Sequence, residues 1–294
     1  MTNILTPQLT DQRVSVATIM SQPTWIRVKI GELAENNELL SVFYTPLGTP
    51  VQGGGILHPR LSGAERYTAD DVVERSAGNE YQRVRAVDPE YRLALVRDYG
   101  ASVEITDEEI DRGDISALNN KILQLTNTLV RKLNVKALAA IDDASPDTMP
   151  ASEAWDTLVT VGPPEQLTPN AQRPLADMIR TKRLFSDDRL GFVPDTLLVS
   201  ATDAENLAVG YGEELDKVMT AAGLTLMTNP YVAEGRNYVL QKGKPGIVGY
   251  ERQLTVDIID ERKYRHKLIQ VYAVPSYAVD RPQAVKVITG TVTP

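Results

Sequence analysis

The chain has 294 residues, 42% of them hydrophobic and 24% charged, the balance of a globular protein long enough for about two domains. It contains no cysteine, which excludes disulfides and thiolate metal sites, and its formal net charge is −8 with no basic run, which argues against a sequence-specific grip on nucleic acid. No apolar run approaches the ~20 residues of a membrane helix, and the N-terminus MTNILTPQLTDQRVSV lacks the basic and apolar regions of a secretory signal.

Residues 1 to about 45 show no sustained periodicity. Pro7 and Pro23 interrupt them, and Trp25 sits beside the alternating Ile26, Val28 and Ile30. This reads as an extended arm, which orders only by packing on something. Residues 46–88 hold Pro46, Gly48, Pro50, the run Gly53-Gly54-Gly55, then Pro59, Gly63 and Gly78. Charged residues alternate with Val and Tyr from Tyr67 to Val87, a pattern that predicts two long ribbon-like strands with a flexible glycine tip. Tyr91 to Ile105 reads as a strand entering the core.

Thr106 and Glu109 fit a capping box, and Asp107 and Glu108 suit the positive end of a helix dipole. Gly113 is expected to end this short helix, with Asp114 or Ser116 opening the next. That next helix, Ile115 to Ile141, is the strongest local signal in the chain. Ile115, Leu118, Ile122, Leu125, Leu129 and Leu133 recur at steps of three and four and fall on one face. At 1.5 Å per residue it spans roughly 40 Å, the reach of a strut across a small domain. Asp142 and Asp143 are unfavourable at a helix C-terminus and are expected to begin a loop.

Beyond them, Pro146, Pro150, Pro163, Pro164 and Pro169 mark loops. A helix is expected from Pro174 to Phe185 with Leu175, Met178, Ile179 and Leu184 inward. Asp195–Ser200 reads as a short buried strand. Thr202 with Glu205 fits a capping box opening a helix to about Ala222, which Gly223 ends. Short strands are expected at 224–227, 238–241 and 247–250. Leu254, Val256 and Ile258 alternate with polar residues, and strands at 268–274 and 284–288 close the chain.

Few residues invite a chemical role. The carboxylates Asp107, Glu108, Glu109, Asp111 and Asp114 do not match the EF-hand spacing and read as caps and a solvated face. Gly53–Gly55 has no following Lys-Ser/Thr and reads as a loop tip, not a phosphate cradle. His58 and His266, the two histidines, are expected in a flexible loop and a late strand turn without catalytic partners. No catalytic, cofactor-binding or metal-binding residue is assigned, and no cofactor is expected. The 12 tyrosines, against 3 phenylalanines, suit either wet subunit interfaces or plain surface strands.

The order of elements nevertheless has a precedent. The lead-in VEITDEEIDRGD with the Ile115–Ile141 helix resembles the peripheral-domain spine of tailed-bacteriophage major capsid proteins, the Hong Kong 97 type fold. DTLLVSATDAENL (195–207) is similar to that family's axial-domain strand–helix unit. PGIVGYERQLTVDIID (245–260) through AVKVITG (284–290) is similar to its closing strands. The resemblance covers essentially the whole chain and implies an α+β fold in five parts. These are an N-terminal arm (1–45), an extended loop (46–88), a peripheral domain with its spine helix (89–145), an axial domain (146–255) and return strands of the peripheral domain (256–294).

It further implies a structural protein, not an enzyme, that self-assembles into pentamers and hexamers of an icosahedral shell enclosing double-stranded DNA. The arm and loop would lie across neighbouring copies. Scaffolding, portal and decoration proteins are the implied partners, with no membrane and no sequence-specific DNA contact. The location is the virion, after assembly in the host cytoplasm. An acidic balance suits a protein that lines a container of nucleic acid without sticking to it. Some relatives cross-link through a loop lysine, but no Lys lies between Lys29 and Lys121, so that link is not expected here. Others carry a long cleaved scaffolding segment. With Met1 followed by a short arm, a separate scaffolding protein or none is expected. Two alternatives stand beside this reading: an encapsulin-like nanocompartment shell, and a metal-dependent α/β enzyme using Asp107–Asp114.

Overall fold

A computed structural model describes residues 38–61, 63, 65, 67–112 and 115–293. The features expected at Pro7, Pro23, Trp25 and Lys29, and the boundary at Gly113 and Asp114, lie outside the described residues.

Helix α1 (Glu38–Phe43) runs directly into strand β1 (Tyr44–Pro46). Leu39, Val42, Phe43 and Tyr44 are buried, and Tyr44 donates its hydroxyl to Ala137 O at 2.8 Å. The expected end of an arm is thus part of the body, because so dense an apolar run gains more by burial than by lying in water.

Strand β2 (Gly55–Arg60) pairs antiparallel with β3 (Glu90–Leu95), Leu57 opposite Leu93. Among the described residues, 61–89 forms no ladder. It is tied locally by Ala69 N–H to Arg85 O and Asn79 N–H to Ser76 O, with the Arg75 guanidinium 4.7 Å from the Tyr81 ring centre. The two long strands expected from Tyr67 to Val87 do not form there, since Val72 and Tyr81 meet no surface to cover. Nor is the glycine run a tip. Gly53 (φ 77°) and Gly54 (φ 80°) turn the chain into β2 at the ribbon's base, while Gly78 (φ 89°) serves the turn midway along the loop.

Strand β4 (Tyr99–Thr106) leads into helix α2 (Asp107–Arg112) through the expected capping box. Thr106 Oγ1 accepts from Glu109 N–H at 3.2 Å, and Glu109 accepts from Thr106 N–H at 3.0 Å. Helix α3 (Ile115–Asp143) then buries Leu118, Ile122, Leu125, Leu129 and Leu133 against Ile105 of β4. Toward its end the buried side rotates. Ala137, Leu138 and Ile141 enter a second core with Phe43 and Tyr44. Asp142 and Asp143 are the last residues of α3, not the start of a loop. Arg236 and Tyr238, both bonded to Asp142 Oδ1, offset its unfavourable place at the helix terminus.

The remaining elements are β5 (Asp147–Pro150), α4 (Pro174–Asp187), β6 (Thr196–Val199), α5 (Ala201–Tyr211), α6 (Leu215–Ala222), β7 (Thr225–Thr228), β8 (Arg236–Leu240), β9 (Gly246–Glu261), β10 (His266–Ala278) and β11 (Val285–Thr289). Strands β1-β9-β10-β4 form one sheet, on which α3 lies, and β5-β11-β8-β6-β7 form another. In the first, β1 is parallel to β9 and the other pairs are antiparallel. In the second, β5–β11 and β6–β7 are parallel. The segments expected as separate strands near 247 and 254 are one strand, β9, so the division expected at 255/256 falls inside it. Strand β11 pairs with β8 and β5, outside the sheet of β9 and β10.

A third core gathers Trp155, Met178, Phe185, Leu197 and Leu207. Helix α4 buries Pro174, Met178, Thr181 and Phe185, whereas Ile179, expected inward, is exposed. The helix is turned by Asp177, whose carboxylate is buried to accept from Ser152 and Trp155. The cap of α5 is Ser200, two residues before the expected Thr202. Gly212 interrupts the expected single helix between α5 and α6, and Gly223 (φ 61°) ends α6 as foreseen.

Candidate functional site

Among the described residues, the ribbon of β2 and β3 is held to the body along one face and at both ends. Arg60 donates to Ala144 O at the end of α3 (2.8 Å), and Ser276 Oγ donates to Ala94 O (2.7 Å). Arg97 N–H reaches Pro275 O and Leu61 N–H reaches Asp280 O. Gly249 of β9 lets the Gly55 end of the ribbon approach, since a Cβ there would lie 2.6 Å from Val51 and 2.9 Å from Ile56. Strand alternation then sorts the side chains. His58 turns toward the body and is buried. Leu57 (68% exposed) and its cross-strand partner Leu93 (58%) turn away, with Tyr91 and Leu95 on the same side. Four large apolar side chains on one unpartnered face mark a protein-contact surface. The sequence reading missed it, although the alternation Tyr91-x-Leu93-x-Leu95 carries the signal.

Two cavities lie beside the ribbon. One, of about 440 Å³, lies between Leu61, Gly63 and Glu65 of the loop and Leu190, Phe192 and Arg281 of the body. The other, of about 230 Å³, lies between the ribbon and the end of α3, with His58, Arg60, Arg92, Asp143 and Tyr277 in its walls. Neither brings together a nucleophile, a base and an orienting partner.

Buried charge is satisfied internally. Asp203 accepts from the Ser200 hydroxyl, from Gly235 N–H (3.1 Å) and from Thr291, which in turn accepts from Asn237 (2.9 Å). Lys286 is buried between the carboxylates of Asp147 and Asp188. Burial pushes Tyr238 up to about 12, with Arg236 opposing and Asp142 adding to the rise. Tyr44 is also driven well above its ordinary value, first by burial. Asp280 is raised by burial, with Arg281 opposing.

The residues weighed from sequence do not converge. Asp107, Glu108, Glu109 and Asp111 sit on α2, while Asp114 is outside the described residues. Glu109 is held below its ordinary value by the Lys121 ammonium, 2.8 Å away, and by the Thr106 N–H. No group of three or more metal-ligating side chains occurs among the described residues. His58 belongs to strand β2, not to a flexible loop. His266 opens β10, stacked on Tyr264, with Nε2 3.0 Å from Glu261 but off the angle of a hydrogen bond. Of the tyrosines, Tyr44 and Tyr238 are buried in the core, Tyr91 is exposed on strand β3, and Tyr67 and Tyr81 are exposed outside any strand.

Comparison with known proteins supplies the context. Residues 90–288 match the family described as phage capsid protein. No curated protein matches the chain. The virus-like particle from Pyrococcus furiosus is similar in structure (TM-score 0.62, 14% identity, covering 90% of this chain and 97% of that one). So are the capsid of the cyanophage P-SCSP1u (TM-score 0.63, 10% identity, 85% and 87%) and a chain of Mycobacterium phage Bobi (TM-score 0.61, 14% identity, 85% and 89%).

Proposed function

The chain belongs to the phage capsid protein family, a structural component of the virion with the Hong Kong 97 type fold, and on that premise we propose that its copies close into an icosahedral shell of pentamers and hexamers around double-stranded DNA. The observation that carries this reading is the apolar outer face of the β2–β3 ribbon. Leu57, Tyr91, Leu93 and Leu95 project into water in a single chain, and a neighbouring copy would cover them. Rings arise because such a contact is heterologous: one surface meets a different surface on the next copy. Assembly would take place in the host cytoplasm, with scaffolding, portal and decoration proteins as further partners.

Electron microscopy of the purified protein tests this directly. Closed polyhedral shells, or rings of five and six, are expected. A small monodisperse oligomer, alone and with a scaffolding partner, would sink the reading. The arm is assigned a share in assembly: removing residues 1–30 spares α1 and should leave a folded chain that forms no closed shell. A second reading, an encapsulin-like compartment that holds proteins, draws on the likeness to the Pyrococcus furiosus particle. Nuclease-protected DNA inside the shells separates the two.

A further inference from the structure

Helix α3 carries a charge pattern at odds with the chain around it. From Ile115 to Ile141 the charged residues are Lys121, Arg131, Lys132 and Lys136, with no Asp or Glu, in a protein of net charge −8. Lys121 is taken up by Glu109. The others are exposed, and among the described residues they make no ion pair or side-chain hydrogen bond. Asn120, Gln124, Asn127 and Arg131 stand in one exposed row, at steps of four, three and four, spanning roughly 16 Å. Lys132 and Lys136 are a like-charge pair one turn apart, an arrangement that destabilises a helix on its own. Dipole compensation does not account for them, since it acts within the last turn and α3 ends at Asp143. A helix exposed to water alone gains from Glu–Lys pairs at this spacing, and this face has none.

We infer that the exposed face of α3 is a contact surface for the phosphate backbone of duplex DNA, with Arg131, Lys132 and Lys136 neutralising phosphates and the carboxamides donating beside them. The complementarity is of charge and donor chemistry: from Asn120 to Lys136 the exposed face offers cations and amide donors beside Leu123 and Val135, with no carboxylate before Asp143 at the helix end and no aromatic side chain to read or stack on bases. The contact is therefore indifferent to sequence. The inference rests on the reading of the chain as a shell subunit around DNA, and it assigns α3 to the inner side of that shell.

The test is fluorescence anisotropy of a random duplex of about 30 base pairs, titrated with soluble full-length chain across a salt series. For the wild type, log affinity should fall linearly with log salt. R131Q/K132Q/K136Q should flatten that slope by about 2–3 and lower affinity at least ~10-fold at low salt. Its melting temperature should not fall, since a repulsive pair is removed. R262Q/K263Q is the control, because Arg262 already pairs with Asp260 at 2.7 Å and Lys263 lies over the Tyr264 ring. An unchanged slope in the triple variant, equal flattening by the control, or binding of polyglutamate in place of duplex would each overturn the assignment. Electron microscopy of the same variants reads shell formation separately, so loss of duplex binding with intact shells bears on α3 and leaves the capsid reading untouched.

Discussion

At the scale of single residues, several buried charged groups are held by hydrogen-bond or ion-pair partners from other elements. Asp203 is the fullest case, its carboxylate accepting from three donors: Ser200 within the cap of α5, and Gly235 and Thr291 from outside it, while its own N–H donates to Ser200 Oγ. Asp203→Ala would leave those donors buried and unpaired, and it should cost about 3 kcal/mol in urea denaturation. Asp280 differs in sign. Burial raises its carboxyl above the ordinary 3.8. A raised carboxyl stabilises the fold while protonated, fully so below the unfolded value, and that contribution disappears as pH rises through the folded value. Asp280→Asn should therefore raise the urea midpoint near pH 7 and change it little near pH 3. Equal gains at both pH values would remove burial of the charge as the cause. Glu109 runs the other way. Lowered by Lys121, its contribution is present above the unfolded value and lost as pH falls through the folded one.

Among elements, the ribbon and α3 show what local pattern can and cannot convey. The apolar period of α3 was legible because five buried leucines and isoleucines on one face are a local property. So was the Thr106–Glu109 box, which needs only four consecutive residues. The choice between Ser200 and Thr202 as a cap was not, because both have an acid three residues on. What decides it is the burial of Asp203 among Gly235 and Thr291, distant in sequence. Pairing of β2 with β3 was equally out of reach, since an unladdered segment separates the two strands and their register is set by anchors such as Ser276 and Arg60. The outward ribbon face yields a direct prediction. L57K/L93D should melt close to the wild type, because both side chains are mostly exposed and the new cross-strand pair is of opposite charge, yet it should form no shells in the microscope. Normal shells from this variant would take the ribbon out of the assembly contact.

At the scale of the whole molecule, the described residues form three cores, and several elements pass from one to another. Helix α3 gives Leu118 to Leu133 to one and Ala137 to Ile141 to the next. Strand β9 does the same with Val256 and Val248, and β8 and β11 each give residues to the first and third, as with Val239 and Ile288 on one side and Leu240 and Val287 on the other. This sharing explains why domain limits drawn along the sequence fell inside strands. It also has a thermodynamic consequence. One core cannot melt without unravelling elements whose other half sits in a neighbour, so local losses spread. Calorimetry on the unassembled chain should show a single heat-absorption peak with calorimetric and van't Hoff enthalpies equal. Two resolved peaks would mean that the shared elements yield at their midpoints. Segment 67–89, tied by its own short bonds, stands outside this cooperative unit, and its amides should exchange with deuterium long before those of β9 and β10.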